Sequence, residues 1–306
     1  MKYLITGANG FVGTALITQL SNSGEKVVAV VKSKDEDVSG IENLPGVEIY
    51  YCELNNISKL ETIIPHRDID LCIHLAWAGS TGDARADYAL QLDNVRYALD
   101  TVNAIAKMNI KRFVCAGTLA EKDVLNYHPT DGATPNAVSN YGIAKISTHF
   151  MTKTECTRLG IEHIWCYLSN TYGVGNRTGN FVNFACRTML SGKRAAFTAG
   201  EQPYDFVYIT DTVRAIIAAA SKGKSGTAYY LGSTKPRKLK EFIVDIRDAI
   251  DPNIELHLGE IPFNGIPLAA EEFDCTKLVK DTGYQPTVDF KEGIRMTVDW
   301  LKEVAQ

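Results

Sequence analysis

Residues 6–13 read Thr-Gly-Ala-Asn-Gly-Phe-Val-Gly. This stretch follows an apolar run at Lys2–Thr6, which predicts a β-strand, and it leads into Phe11–Asn22, which predicts a helix. The three glycines allow a sharp turn out of the strand, a close approach of the backbone to a phosphate and tight packing of the helix on the sheet. The helix N-terminus also offers free N–H groups and the positive end of its dipole. The stretch therefore predicts a phosphate-binding turn that opens a nucleotide-binding fold.

Short apolar runs alternate with longer helical patterns through the first 168 residues. The runs predict strands at Lys2–Thr6, Lys26–Val31, Val47–Tyr51, Ile69–Leu75, Ile110–Ala116 and Ile161–Leu168. Helices are predicted at Phe11–Asn22, Ser58–Ile64, Asp83–Met108 and Ser139–Leu159. Nearly continuous apolar strands indicate burial on both faces, and the strand–helix alternation indicates parallel pairing. We therefore predict an α/β fold with a Rossmann-type doubly wound parallel sheet and a smaller, interrupted C-terminal substrate lobe.

The alternation breaks after residue 168, and this break sets the predicted domains. Residues 1–168 are assigned to an NAD(P)-binding domain, to which 205–234 return, and residues 169–204 and 235–306 form the substrate-binding lobe. The later patterns predict helices at Phe181–Leu190, Thr210–Ser221 and Lys291–Val304, and strands at Asp205–Ile209 and Thr227–Leu231.

Composition restricts the class of protein. Of 306 residues 45% are hydrophobic, and 32 basic against 36 acidic residues give a net charge of −4, which argues against a nucleic-acid partner. No apolar run reaches the roughly 20 residues of a membrane helix, so no membrane partner is predicted. The seven cysteines form no CxxC pair and the six histidines no metal-ligand spacing, so we expect buried reduced thiols, no metal and a cytoplasmic location. The strand pattern at Met1–Thr6 also argues against a signal peptide.

The end of the second predicted strand bears on the choice of cofactor. An acidic residue there would hold the adenosine ribose hydroxyl of NAD, whereas a cation would accept the 2′-phosphate of NADP. The sequence has Val31-Lys32-Ser33-Lys34, with no acid before Asp35. NADP(H) is therefore favoured, and NAD(H) remains possible.

Tyr141 and Lys145 form a YxxxK pair whose side chains project from one face of a predicted helix. We expect the ammonium of Lys145 to favour the phenolate of Tyr141 and to bring its pKa toward neutral pH. Lys145 can also hold the nicotinamide ribose. Thr118 follows the fifth predicted strand, where its hydroxyl can bond a substrate oxygen beside Tyr141. These three residues are the predicted catalytic groups.

These motifs together resemble the extended short-chain dehydrogenases/reductases, in their NAD(P)-dependent nucleotide-sugar epimerase/dehydratase family. The resemblance runs from TGANGFVG (6–13) through His74-Leu75-Ala76, Thr118, the Tyr141–Lys145 pair and Ser169–Gly173 to the tail Leu278–Trp300. It implies cofactor contacts from Gly7, Asn9, Gly10, Phe11, Val12, Gly13, Lys32, Leu75, Ala76, Asn94, Tyr141 and Lys145. It implies a nucleotide-sugar substrate held by Thr118, Asn170, Arg177, Gln202 and Tyr204, and pairing into a homodimer through the two long helices. His74, in an apolar strand, is assigned to the core.

The sequence departs from the family pattern at the diphosphate. Tyr167 and Tyr204 stand where many relatives have arginines, and a phenol cannot make a bidentate charged contact. The cations that could replace them are Arg177, Arg187, Arg194 and Arg237.

Three reactions are weighed from the residues after Thr118. Relatives that eliminate water carry an acid directly after the catalytic hydroxyl, whereas here Leu119 and Ala120 precede Glu121, so dehydration is disfavoured. Reduction of a 4-keto-6-deoxy sugar nucleotide at C4 is slightly favoured over C4 epimerisation with retained NAD. A non-catalytic NADP(H)-binding module is the remaining alternative.

Overall fold

The computed structural model describes residues 1–127, 132 and 134–304, and a seven-stranded sheet runs through its centre. All of its neighbouring strands pair in parallel. The strands of this sheet are β1 (Lys2–Thr6), β2 (Lys26–Val31), β3 (Val47–Tyr51), β4 (Leu71–His74), β5 (Arg112–Thr118), β6 (Glu162–Leu168) and β11 (Thr227–Leu231). Their order is β11-β6-β5-β4-β1-β2-β3, so the winding reverses between β1 and β4. The predicted doubly wound fold is confirmed.

Helices cover both faces of the sheet. They are α1 (Phe11–Asn22), α2 (Leu60–Ile63), α3 (Tyr88–Lys107), α4 (Ala120–Tyr127), α5 (Ser139–Leu159), α6 (Phe181–Leu190), α7 (Ile209–Lys222), α8 (Leu239–Ile250), α9 (Thr276–Thr282) and α10 (Phe290–Val304). Short 3₁₀ helices occupy Leu54–Lys59, Gly82–Ala86 and Ala270–Phe273. Within the described residues no helix is both long and apolar enough to span a bilayer.

Alternate strand residues pack into two separate cores, because successive side chains of a strand point to opposite faces. In β1, Ile5 joins the core beneath α1 and α7, whereas Leu4 joins the core beneath α3 and α5. Both side chains are fully buried. Burial of both faces explains why the strands read as continuous apolar runs. All seven cysteines are buried, as expected.

Small two-stranded sheets extend the fold beyond residue 168. They join β7 (Asn170–Tyr172) with β10 (Phe206–Tyr208), β9 (Pro203–Tyr204) with β12 (Arg237–Lys238), and β8 (Ala196–Phe197) with β13 (His257–Leu258). Only β11 of these later strands enters the central sheet. The division into a cofactor domain and a substrate lobe stays a prediction. Residues 128–131 and 133 of the first segment and 305–306 of the last lie outside the described residues.

Several predicted boundaries are wrong, and the reasons are local. The helix predicted over 83–108 divides at Asp87, whose carboxylate caps α3 by accepting the N–H groups of Ala89 and Leu90, each at 3.1 Å. The helix predicted over 58–64 is the shorter α2, and the 3₁₀ helix Leu54–Lys59 precedes it. The strand predicted over 205–209 is the shorter β10, which pairs with β7 outside the central sheet. Helix α4 was not predicted.

Candidate active site

The glycine turn between β1 and α1 is packed against the end of β4. A Cβ atom on Gly7, whose φ is +70°, would lie 2.7 Å from the amide nitrogen of Ala76. A Cβ on Gly13 would lie 2.2 Å from the carbonyl oxygen of Gly7. Because such distances are far below van der Waals contact, only glycine fits at these two positions. The turn therefore holds the end of β1, the start of α1 and the segment after β4 in backbone contact.

The start of α1 fits the pyrophosphate of a dinucleotide. Gly10 is the N-cap residue and supplies no side-chain cap, and the first turn carries no acidic residue. The N–H groups of Phe11, Val12 and Gly13 belong to that first turn, in which an α-helix has no internal partners for its N–H groups. They can therefore donate to phosphate oxygens at the positive end of the helix dipole.

A cavity of about 510 Å³ opens beside the turn, over the carboxyl ends of β1, β2 and β4. It lies where the strand order reverses, which is the usual ligand site of such sheets. Its described lining is Thr6, Gly7, Asn9, Val30, Lys32, Glu36, Cys52, Glu53, Leu54, Asn55, Ile57, Ala76, Trp77, Ala78, Leu90 and Tyr97. The predicted cofactor residues Gly7, Asn9, Lys32 and Ala76 are thus brought together here, whereas Leu75 packs against the core.

Glu36 was not predicted to belong to this cavity. Its carboxylate accepts a hydrogen bond from the Asn9 side chain at 3.4 Å, and it lines the same space as Lys32. The sequence did not predict this position of Glu36, because the residue is five positions beyond the end of β2 and reaches the cavity only through the fold of the following loop. The cavity therefore carries both an acid and a cation in the loop after β2.

Two buried polar side chains brace the segment after β4. The Asn94 carboxamide accepts from the Ala78 N–H at 2.9 Å and donates to the carbonyl oxygens of Ala78 and Leu90 at 2.8 and 2.9 Å. The His74 ring bonds the Thr6 hydroxyl at 2.8 Å, and burial lowers the pKa of His74 to about 3, so the ring is neutral. Asn94 therefore shapes the loop that lines the cofactor cavity, and His74 lies in the core as predicted.

The three predicted catalytic residues lie next to one another. Thr118 is the last residue of β5, and its side chain is hydrogen-bonded to that of Tyr141 on α5. Lys145 lies one helical turn beyond Tyr141, and its Nζ is 5.9 Å from the centre of the Tyr141 ring. Both side chains are buried. The Lys145 Nζ donates to the carbonyl oxygen of Ala116 at 2.7 Å.

The protonation of this group differs from the sequence expectation. Burial raises the pKa of Tyr141 above its usual range, while the Thr118 hydrogen bond and the charge of Arg85 oppose that rise. Burial likewise lowers the pKa of Lys145 to about 8. The expected lowering of the Tyr141 pKa by Lys145 is not observed, because the ammonium faces Ala116 and the Trp77 ring instead of the phenol.

A second cavity, of about 400 Å³, opens at Thr118. Much of its wall comes from the chain beyond β6. Its described lining includes Arg85, Thr118, Leu119, Ala120, Asp123, Val124, Tyr127, Asn136, Val138, Ser139, Leu168, Ser169, Asn170, Gln202, Pro203, Tyr204, Phe263, Gly265, Ile266, Pro267, Leu268 and Phe273. Of the predicted substrate residues, Thr118, Asn170, Gln202 and Tyr204 lie here. The Tyr204 hydroxyl donates to the Asn170 side chain at 3.3 Å.

Comparison with known proteins identifies the family. The chain matches the NAD dependent epimerase/dehydratase family over residues 3–232. It belongs to that family. The expected resemblance is therefore confirmed.

Individual relatives in the family carry out different reactions. The chain is 24% identical over 340 residues to a protein named dTDP-glucose 4,6-dehydratase from Escherichia coli, covering 98% of this chain and 93% of the relative. It is 27% identical over 265 residues to dTDP-6-deoxy-L-talose 4-dehydrogenase (NAD(+)) from Aggregatibacter actinomycetemcomitans, covering 82% and 93%. The fold matches UDP-glucose 4-epimerase of Thermotoga maritima, solved with UDP-glucose, with a TM-score of 0.80, 23% identity and full coverage of both chains.

None of the four arginines predicted to bind the substrate diphosphate is among the described residues that line the second cavity. Arg177, predicted to bind substrate, lies on the cofactor side, where it lowers the pKa of the Asp37 carboxyl after the larger effect of the Ser39 hydrogen bonds. Arg187 is exposed, Arg194 pairs with Glu260, and Arg237 pairs with Asp245. Arg177 does not line the second cavity, because the loop after β7 passes close to the start of α1, and its contact with substrate stays a prediction.

Sequence reasoning missed two charged residues of this cavity, Arg85 and Asp123. Arg85 belongs to the 3₁₀ helix Gly82–Ala86, and Asp123 to α4, neither of which was predicted. Burial raises the pKa of Asp123 to about 6, against an opposing effect of Arg85. Prediction of a helix over 120–127 would have placed Asp123 in this cavity, because the helical spacing brings Ala120, Asp123 and Val124 to one face.

Glu121, by contrast, faces the core. Its Oε1 accepts from the Thr118 N–H at 2.8 Å and from the Trp165 indole N–H at 3.1 Å. The side chain is only 1% exposed, and a Cβ on Gly117 would lie 2.7 Å from Oε1. Glu121 therefore fixes the backbone of Thr118 from behind and does not line the cavity.

Proposed function

We propose that this chain reduces C4 of a nucleotide-diphosphate sugar, with a 4-keto-6-deoxy sugar nucleotide as substrate and NADPH as the hydride source. One observation carries the proposal: Thr118 lines the second cavity with Asn170, Gln202 and Tyr204 and is hydrogen-bonded to Tyr141, while Tyr141 and Lys145 pack against Trp77, which lines the cavity beside the phosphate-binding turn. A substrate oxygen bound at Thr118 would lie next to the Tyr141 phenol, with the dinucleotide on the Trp77 side. The nucleotide-sugar class is supported by the names of similar proteins.

The chain's own residues can carry out the proton transfer. The nicotinamide, when bound, supplies the hydride that reaches the carbonyl carbon. Tyr141 gives its phenolic proton to the carbonyl oxygen, and Thr118, hydrogen-bonded to Tyr141, orients both oxygens. A raised pKa keeps Tyr141 protonated at neutral pH, which is the form that reduction requires. Lys145 packs against Trp77, which lines the cofactor cavity, and its ammonium would contact the cofactor ribose on leaving Ala116.

Stoichiometry tests the reaction. With a 4-keto-6-deoxy sugar nucleotide, one NADPH should be oxidised for each hydroxyl formed. Turnover of a 4-hydroxy nucleotide sugar with no net change in cofactor and no loss of water would instead establish C4 epimerisation, and binding of NADP(H) with no turnover on UDP, CDP, dTDP or GDP sugars would favour the non-catalytic module. Tyr141→Phe should lower kcat at least about 100-fold, the usual size of an acid–base contribution. Equal activity of that variant would refute the assignment of Tyr141.

Dehydration is a second candidate, favoured by Asp123. An elimination next to a C4 ketone needs a base for the C5 proton and an acid for the departing C6 hydroxyl. Asp123 lines the cavity with Thr118, and its raised pKa of about 6 lets it hold a proton near neutral pH. Incubation of a nucleotide sugar in D₂O distinguishes the candidates, because elimination incorporates solvent deuterium and releases water, whereas reduction at C4 does neither.

The preference for NADP(H) is part of the proposal and rests on Lys32 in the cofactor cavity. Glu36 in the same cavity supports the alternative, since a carboxylate can accept from the ribose hydroxyls of NAD. A homodimer is proposed from exposed apolar residues on the two long helices: Tyr88 and Leu92 on α3, and Ile143, Phe150 and Met151 on α5. A cytoplasmic location is proposed from the seven buried, unpaired thiols.

A further inference from the structure

Arg85 lies against the catalytic phenol. It belongs to the 3₁₀ helix Gly82–Ala86, just before the Asp87 cap of α3. Its guanidinium carbon is 4.5 Å from the centre of the Tyr141 ring, within the range of a cation–π contact. The Trp77 ring meets Tyr141 edge-on, with 5.9 Å between the two ring centres. Tyr141 is therefore in contact with a cation on its ring and an indole at its edge.

The Arg85 guanidinium is not engaged in an ion pair with any described residue. Its Nε is buried and has no hydrogen-bond partner among the residues that the structure describes. Asp123 lines the same cavity but is not within ion-pair distance of Arg85. Because buried donors are almost always satisfied in native proteins, this free donor requires an explanation.

Lys145 does not lie against the Tyr141 ring as Arg85 does. Its Nζ is 5.9 Å from the Tyr141 ring centre but 3.7 Å from that of Trp77, and it donates to the carbonyl oxygen of Ala116. Arg85 is thus the nearer cation to the Tyr141 ring. A guanidinium also keeps its charge at every pH at which the enzyme works, whereas the pKa of Lys145 is lowered to about 8.

We propose that Arg85 is a positioning residue for Tyr141, whose guanidinium fixes the ring and stabilises the phenolate left when the phenol has given up its proton. This role rests on the proposed function only in that Tyr141 is the proton donor. When the proton moves from the Tyr141 oxygen to the substrate oxygen, the ring gains negative charge, and a cation against it is then held more strongly than against the neutral phenol. The proton returns from solvent after product leaves.

The other charged groups around Tyr141 do not supply this effect. Glu121 of α4 and Cys115 of β5 both raise the pKa of Tyr141, and burial raises it most. Arg85 and the Thr118 hydrogen bond lower it. Lys145 is turned toward Ala116, and Asp123 lines the same cavity as Arg85, whose charge opposes the rise in the pKa of Asp123. Arg85 is therefore the charged side chain in this set that favours the phenolate.

The titration of Tyr141 tests the proposal without any substrate. Protein labelled with ¹³Cζ-tyrosine is titrated by NMR, and the Tyr141→Phe variant identifies the resonance. Arg85→Gln should raise the pKa of Tyr141 by about 1, a tenfold loss of phenolate at a given pH. Arg85→Lys should give a smaller rise, since an ammonium can still lie against the ring. Arg96→Gln is the matched control, because the Arg96 guanidinium lies 5.0 Å from the Tyr97 ring centre on the exposed side of α3.

The outcomes are distinct. An unchanged Tyr141 titration in Arg85→Gln, with native thermal unfolding, overturns the proposal. So does a variant that raises only the KM of a substrate, because that result would make Arg85 an anion-binding residue. A raised pKa in Arg85→Gln, with a smaller rise in Arg85→Lys and none in Arg96→Gln, supports it. If no nucleotide sugar is turned over, the proposed function fails while this titration still stands or falls by itself.

Discussion

The ammonium of Lys145 donates a hydrogen bond to the carbonyl oxygen of Ala116 at 2.7 Å, inside the fold and against the ring of Trp77, which lines the cofactor cavity. The side chain is buried, and burial lowers the pKa of Lys145 to about 8. The charge of the residue that should hold the cofactor ribose is thus sensitive to mildly alkaline pH.

The pH dependence of stability should report this residue. The folded pKa of about 8 lies below the ordinary value of 10.5, so between these values the unfolded chain binds more protons and stability rises with pH. Lys145→Met removes this dependence. Relative to the parent, the free energy of unfolding of the variant should therefore fall by about 2 kcal/mol from pH 7.5 to pH 10, measured by urea denaturation. A constant difference across this range would contradict the lowered pKa of Lys145.

Gly13→Ala should damage the phosphate-binding turn even without cofactor. The new Cβ would lie 2.2 Å from the Gly7 carbonyl oxygen, so the turn must move, and we expect a loss of about 3 kcal/mol or more in the free energy of unfolding. Gly10→Ala is the matched control, since its Cβ would lie at an ordinary 3.4 Å from the same oxygen. Equal stability of the two variants would show that the turn relaxes freely.

The two charged residues of the cofactor cavity should act in opposite directions. Lys32→Ala should raise the KM for NADPH about tenfold and leave the KM for NADH nearly unchanged, because only NADPH carries the 2′-phosphate. Glu36→Gln should raise the KM for NADH more than that for NADPH. Lys34→Ala is the control, since this exposed lysine does not line the cavity. A parent enzyme that strongly prefers NADH would contradict the NADP(H) prediction.

Asp123→Asn should stabilise the protein at alkaline pH. The folded pKa of about 6 lies above the ordinary 3.8, so the folded protein binds the proton more tightly and the ionised carboxylate is disfavoured above pH 6. The variant should therefore show a Tm a few degrees higher than the parent at pH 8 and no gain below pH 4. Asp248→Asn, at an exposed carboxylate that pairs with Arg247 on α8, provides the control. A gain that is the same at both pH values would contradict the raised pKa of Asp123.

The exposed apolar side chains of α3 and α5 should bury each other in a dimer. Leu92 is 64% exposed and Phe150 60%, both on long helices without another described element over them. The double variant Leu92→Glu, Phe150→Glu should run as a monomer by size exclusion with light scattering, whereas the parent runs as a dimer. Phe184→Glu, at an exposed side chain on the outer face of α6, should leave the dimer intact. A monomeric parent would contradict the prediction.

The sequence predicted well where a pattern directly reflects a backbone requirement. The glycines at 7 and 13 had to be glycine because of contacts with Ala76 and Gly7, and the buried strands had to be apolar on both faces. The grouping of Thr118, Tyr141 and Lys145 followed from strand ends and helix spacing. These are local or periodic constraints, and a single sequence displays them.

The missed residues share a different physical origin. Glu36 reaches the cofactor cavity through a returning loop, and Arg85 reaches Tyr141 from the 3₁₀ helix that precedes the Asp87 cap of α3. Arg177 lowers the pKa of the Asp37 carboxyl and does not line the second cavity, a placement that the sequence did not predict. Their positions are set by tertiary packing of irregular segments, which neither hydrophobic periodicity nor spacing records. The pKa of Tyr141 was missed for the same reason, because burial depends on the whole fold.

The bond between Glu121 and the Thr118 N–H ties the start of α4 to the end of β5. Thr118 and Asp123 therefore lie on one short, continuous piece of chain. In the helical part of it, each residue's side chain is rotated by about 100° from that of the residue before. Insertion or deletion of a single residue between Glu121 and Asp123 would leave Thr118 in place and rotate the Asp123 carboxyl out of the cavity. The number of residues in this segment, as well as their identity, thus decides whether a carboxyl faces the cavity next to Thr118.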